Sequence, residues 1–250
     1  MGEHFERSQE ANIPASPEEV WEAIASGPGI DSWFLGNNRV EPGPGGLVAT
    51  DFPGIPPTQI EVWDPPHRLV HANEPGEDGR FIAYEFLVEG RPDSTTVVRV
   101  VTSGFIPGDD WEDEFEAMTT GGELFFATLV EAITHFRGRR ATPVTAFGPV
   151  PRDPASAWAR LASALDASNL QVGERVSIRL GGQTPDEGVV YLRNRDTVGV
   201  RTDDALYRFI AGFQGPMIAT HHLFAPAVDG EAAQGMWETW LHDSFGEENR

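Results

Sequence analysis

The chain has no cysteine, which excludes a disulfide framework, thiolate catalysis and cysteine-ligated metal. Lysine is missing too, so all 18 basic residues are arginines, set against 39 acidic residues for a formal net charge of −21. A surface this negative repels phosphate backbones and anionic bilayers, and the largest basic cluster, Arg137/Arg139/Arg140, is too small to offset it. Neither nucleic acid nor a membrane is therefore expected as a partner. Arginine-only basicity is what a GC-rich coding sequence produces, and halophilic adaptation would also produce the acidity. No apolar run approaches the roughly 18 residues of a membrane-spanning helix. The start, Met1–Glu10, lacks the apolar core of a signal peptide. The expectation is a soluble, cytoplasmic protein.

Several chemical signatures are absent as well. There is no G-x-S-x-G elbow, and the glycines Gly43, Gly45 and Gly46 are followed by neither a helical pattern nor a lysine. His221 and His222 are adjacent, and adjacent strand residues point to opposite faces, so the pair is a poor metal site. No metal, cofactor or catalytic residue is assigned. The acidic run Asp109–Glu114 lacks the order of a calcium loop; it reads as a solvated helix face, with a docking patch for a basic partner as the sharper alternative.

What the chain does have is a strongly marked helix start. Ser16 is placed to cap, Pro17 stands at the first helical position, and Glu19 completes a capping box. Val20, Trp21 and Ile24 supply an apolar stripe, and Gly27-Pro28-Gly29 is expected to end the helix. A similar phrase returns at Asp153–Trp158. Between the two starts the pattern gives strands over Phe5–Ile13, Thr58–Trp63, Arg68–Asn73, Phe81–Glu89 and Thr95–Phe105, then a long helix over Thr119–Arg137. Glu41–Gly46 is a turn by composition. Residues 141–152, rich in proline, read as a linker.

Beyond the linker the order repeats in shorter form. A helix over Pro154–Ala167 precedes strands at Arg175–Leu180, Gly188–Leu192, Val198–Arg201, Leu206–Ile210 and Met217–Phe224, and a helix over Glu231–Phe245 closes the chain. The fold class is α+β: an antiparallel sheet wrapped round a long helix in residues 1–140, and a smaller α+β module in 153–250 that reads as an abbreviated copy.

Over about residues 10–137 the chain resembles the START/Bet v 1-like superfamily with its helix-grip fold, and within it the homologues of the Hsp90 ATPase activator C-terminal domain. The carriers are Ile13–Ile24, W-F-L-G at Trp33–Gly36, P-G-G-L at Pro44–Leu47, Glu61–Val70, T-S-G-F at Thr102–Phe105 and Gly121–Leu129. One departure is Glu123, where family members often carry tryptophan after the glycine opening the last helix. The resemblance implies a curved sheet, a long C-terminal helix and a cavity between them for an apolar or amphipathic small molecule. The superfamily holds carriers, lipid binders, polyketide cyclases and co-chaperones, so fold alone does not decide function.

Within that frame Phe125, Phe126 and Leu129 on the long helix face Tyr84, Phe86 and Val100 on strands. Trp33 and Phe34 guard a mouth, and Trp63 lines one end. The plain alternative is that these aromatics fill a solid core. His71 with Glu85 and Tyr84 would make an acid–base group for cyclase chemistry; a solvated or structurally bonded histidine is the other reading. The leading expectation is binding of a small apolar ligand, with a polyketide cyclase or dehydratase as the alternative. A chaperone-associated interaction protein, implied by the family name alone, comes third, and a homodimer is left open.

Overall fold

The structure, a computed structural model, describes residues 2–108, 111–151, 154–180, 184–211 and 215–246. The chain divides into two compact units, Met1–Arg140 and Ala141–Arg250. No helix among the described residues is long and apolar enough to cross a membrane.

The first unit opens with strand β1 (Glu3–Ile13), helix α1 (Pro17–Ala25) and the single-turn helix α2 (Gly27–Ile30). The capping box at α1 is complete: Ser16 Oγ accepts the Glu19 amide at 3.2 Å and Glu19 accepts the Ser16 amide at 2.8 Å. The helix stops at Ala25, two residues before the expected glycine. Ser26 takes an extended backbone and caps α2 by accepting the Gly29 amide at 3.0 Å, so Gly27-Pro28-Gly29 starts a new turn instead of ending the old one.

Strands β2 (Asn38–Val40), β3 (Leu47–Thr50), β4 (Thr58–Asp64), β5 (Arg68–Ala72), β6 (Phe81–Gly90) and β7 (Thr96–Ile106) follow, then helix α3 (Trp111–His135). They form one antiparallel sheet in the order β1-β7-β6-β5-β4-β3-β2, so the first strand pairs with the last. Helix α3 starts eight residues before the expected Thr119, because the acidic run forms its first turns. Glutamates are good helix formers, and negative charge suits the helix N-terminus. Asp109 and Asp110 of that run lie outside the described residues.

The second unit comprises β8 (Thr142–Phe147), α4 (Pro154–Ala164), β9 (Arg175–Ile178), β10 (Asp186–Arg193), β11 (Thr197–Arg201), β12 (Ala205–Ala211), β13 (Met217–Leu223) and α5 (Gly230–Phe245). Its sheet order is β8-β13-β12-β11-β10-β9. This corrects the linker expected at 141–152, since Thr142–Phe147 is a strand in register with β13 from Phe147↔Ile218 to Thr142↔Leu223. It occupies the place β1 holds in the first unit. Both units therefore run strand, helix, antiparallel meander, long helix, with the opening strand closed against the last. The expected repeat of the Ser16 cap falls at Asp153, outside the described residues. A second internal echo is structural: Tyr84-Glu85-Phe86 on β6 and Tyr207-Arg208-Phe209 on β12 sit on the next-to-last strand of each sheet.

Candidate ligand cavity

The inner face of the first sheet is set by period-two alternation, and register places its polar residues in one line. Arg7 on β1 pairs with Thr102 on β7, Thr102 with Tyr84 on β6, and Tyr84 with His71 on β5. Directly paired residues of antiparallel strands share a face. Two residues along, Phe86 pairs with Val100.

Between this face and α3 lies a cavity of about 90 Å³. It is lined by Trp33, Phe34, His71, Tyr84, Phe86, Val100, Phe125, Phe126 and Leu129, nine of the ten residues expected at a site. Its remaining lining is Gln9, Ile24, Ile30, Val48, Thr102 and Gly122. Gln9 and Thr102 escaped the sequence reading, although alternation along β1 and β7 puts them on the face that Tyr84 shares. A second hollow of about 340 Å³ continues under the first turns of α3, lined by Phe5, Arg7, Ile82, Phe115 and Met118. The two share Gln9, Tyr84, Thr102, Gly122 and Phe125 as walls.

The aromatic wall is held by specific contacts. The Trp33 indole donates to the Ala23 carbonyl at 2.9 Å, tying the mouth to α1. Phe34 lies 4.8 Å from Phe125 between ring centres, and Trp33 meets Phe86 edge-on at 6.2 Å.

Trp63 is the exception. It packs edge-on against Trp21 of α1 with ring centres 5.1 Å apart, outside the cavity. Its ladder partner Leu69 pairs in turn with Phe86, so Trp63 is on the cavity's face of the sheet, at the end where Trp21 of α1 covers it.

His71 is 8% exposed, stacks on Phe86 with the planes 10° apart, and has Thr58 Oγ1 at 2.7 Å from Nδ1. The Thr58 hydroxyl also contacts the Val48 carbonyl at 3.3 Å, which can only accept. One hydroxyl proton serves both contacts if Thr58 donates to Val48 and receives Nδ1–H, leaving His71 Nε2 as a bare acceptor. Burial lowers the histidine pKa from 6.5 to about 4, so the ring is neutral at pH 7. Burial likewise raises the Tyr84 pKa.

The acid–base pairing of His71 with Glu85 is not formed. Glu85 pairs with Val70 in the ladder, so it lies on the opposite face, where it accepts from Arg68 at 2.7 Å. Glu123 of α3 holds Arg7 at 2.9 Å.

In the second unit a tryptophan takes the space among Tyr207, Phe209 and His221, and a hollow of about 310 Å³ lies beside it against α5, lined by Asp186, Tyr207 and Met236 among others. Trp237 of α5 is 1% exposed and packs against Tyr207, Phe209 and His221, its ring centre 4.1 Å from that of His221. His221 Nδ1 accepts the Arg208 amide at 3.1 Å, and burial first, then Arg208, holds its pKa well below 6.5. His222 pairs with Leu206 in the ladder and lies on the other face. Among the described residues no group of histidine and carboxylate side chains is arranged to hold a metal.

Residues 14–134 match the model of the family described as Activator of Hsp90 ATPase homolog 1-like protein. The match lies within the first unit, which is thus an Activator of Hsp90 ATPase homolog 1-like domain. No curated protein matches the chain. Among solved structures, a protein from Mesorhizobium loti is 22% identical, with 51% of this chain and 95% of that one covered at a TM-score of 0.44. The Aha1 dimer from Colwellia psychrerythraea is also 22% identical, covering 52% and 96% at 0.42. The di-domain ARO/CYC protein of the BE-7585A biosynthetic pathway is 14% identical and covers 98% and 99% at 0.45. The helix-grip architecture of the Activator of Hsp90 ATPase homolog 1-like unit is the one its sequence implied, with α3 gripped by the curved sheet.

Proposed function

We propose that the first unit binds one small, largely apolar molecule between its sheet and α3. The observation that carries this reading is the lining itself: five aromatic side chains, Trp33, Phe34, Phe86, Phe125 and Phe126, surround a space into which polar groups of the sheet also face. Among the described residues, the Tyr84 hydroxyl and the Gln9 and Thr102 side chains have no hydrogen-bond partner in the protein. An apolar pocket with a few convergent polar groups is the usual form of a small-molecule site. Thermal-shift measurements against a panel of apolar and amphipathic compounds test it: binders raise the melting temperature, and a panel without any binder argues for a solid core.

Binding is favoured over cyclase-type catalysis. A general base works best with a pKa near the operating pH, whereas His71 titrates at about 4 and its ring partner is Thr58, not a carboxylate.

A further inference from the structure

We infer that the molecule held in this cavity is uncharged and carries a ring hydroxyl, which donates to His71 Nε2. This rests on the ligand-binding reading above and narrows it to a chemical class.

Thr102, Tyr84 and His71 are ladder neighbours on three adjacent strands, and Gln9 shares their face one step along β1, opposite Val100. Gln9, Tyr84 and Thr102 belong to the walls of both hollows, so the row crosses the binding space where the two meet. A purely hydrocarbon ligand spanning it would leave these groups buried without partners, which is costly. An amphipathic ligand with polar atoms on one edge satisfies them.

Thr58 takes the Nδ1 proton of His71 and leaves Nε2 as an acceptor. The group facing it must therefore be a donor, and a hydroxyl on a ring flat enough to lie among Trp33, Phe86 and Phe125 supplies one.

Among the described residues, Arg7 is the one cation lining either hollow, and Glu123 holds it at 2.9 Å. A carboxylate or phosphate ligand would enter a protein of net charge −21 and find its cation already engaged.

Four probes of one shape separate these terms: naphthalene, 2-naphthol, 2-methoxynaphthalene and 2-naphthoate, titrated calorimetrically into the full chain at pH 7. The expected order is 2-naphthol about tenfold tighter than naphthalene or the methyl ether, with 2-naphthoate weakest. His71→Leu should erase the preference of naphthol over its ether. Tyr84→Phe and Thr102→Val, which keep the packing, should weaken naphthol and spare naphthalene. Equal binding of naphthalene, naphthol and ether, unchanged in Tyr84→Phe and Thr102→Val, would overturn the hydroxyl assignment while leaving a ligand cavity in place. Tightest binding by 2-naphthoate would overturn the charge argument. If none of the four binds, the cavity reading itself fails with it.

Discussion

Thr58 and His71 are joined by a 2.7 Å bond inside the first unit, on the neighbouring strands β4 and β5. That contact decides which nitrogen of the ring is left for a ligand, and it keeps a titratable group in an apolar site. Its consequence for pH follows from the direction of the pKa. The unfolded histidine takes up a proton near 6.5 and the folded one only near 4, so between these values the unfolded state binds more protons. Stability is therefore complete above about pH 6.5 and falls as acid is added, by as much as about 3 kcal/mol at pH 4. Urea unfolding of wild type and His71→Leu across this range measures the term as the difference between the two slopes. His221 contributes with the same sign and remains in both proteins, so an unchanged slope in the variant would show that His71 titrates normally.

The cap at the head of α1 gives a cleaner stability test. Both halves of the Ser16–Glu19 box are formed at an exposed site, away from the cavity. Ser16→Ala should cost about 1 kcal/mol in chemical denaturation with no change in ligand affinity. A change in affinity would mean that α1 moves with the site.

Gly122 separates stability from binding. It stands inside α3 and lines both hollows, and a Cβ there would come no nearer than 3.7 Å to Gln9 Oε1. Gly122→Ala should stabilise the helix by about 0.5–1 kcal/mol, since glycine is the poorer helix former. Gly122→Leu should gain part of this and lose ligand, because its side chain enters the binding space. Thermal melts with and without 2-naphthol compare the two. Full ligand protection in Gly122→Leu would place the ligand elsewhere.

The second unit should open a new space among Tyr207, Phe209 and His221 when Trp237 is removed. Trp237→Ala should cost about 3–5 kcal/mol, the range for truncating a buried aromatic. Added indole should recover part of the lost melting temperature by refilling the space among Tyr207, Phe209 and His221. Loss of stability with no response to indole would mean that the site collapses.

Much of this was legible in residues with local signals. Ser16, Pro17 and Glu19 announce a helix start through groups three residues apart, and Tyr84, Phe86 and Val100 declare an inner face by alternation. The failures share a physical cause: they depend on contacts distant in sequence. Thr142–Phe147 contains Pro143 and looks like a linker, yet proline is tolerated on an edge strand, and β8 is an edge whose partner lies some seventy residues away. Trp63 sits on the expected strand and face, but its contact with Trp21, which keeps it out of the cavity, depends on where α1 lies over the sheet. Strands β2 and β3, three and four residues long, are too short to show a period. The pairing of His71 with Thr58 in place of Glu85 is a matter of register, which composition does not carry.

The most direct test of the account is the stoichiometry of 2-naphthol on the full chain by native mass spectrometry, read beside Tyr84→Phe and Trp237→Ala. One molecule per chain in wild type, weakened by Tyr84→Phe, and a second molecule appearing only in Trp237→Ala is the predicted result. Two equivalent molecules on the wild-type chain, or one that Tyr84→Phe leaves untouched, would contradict it.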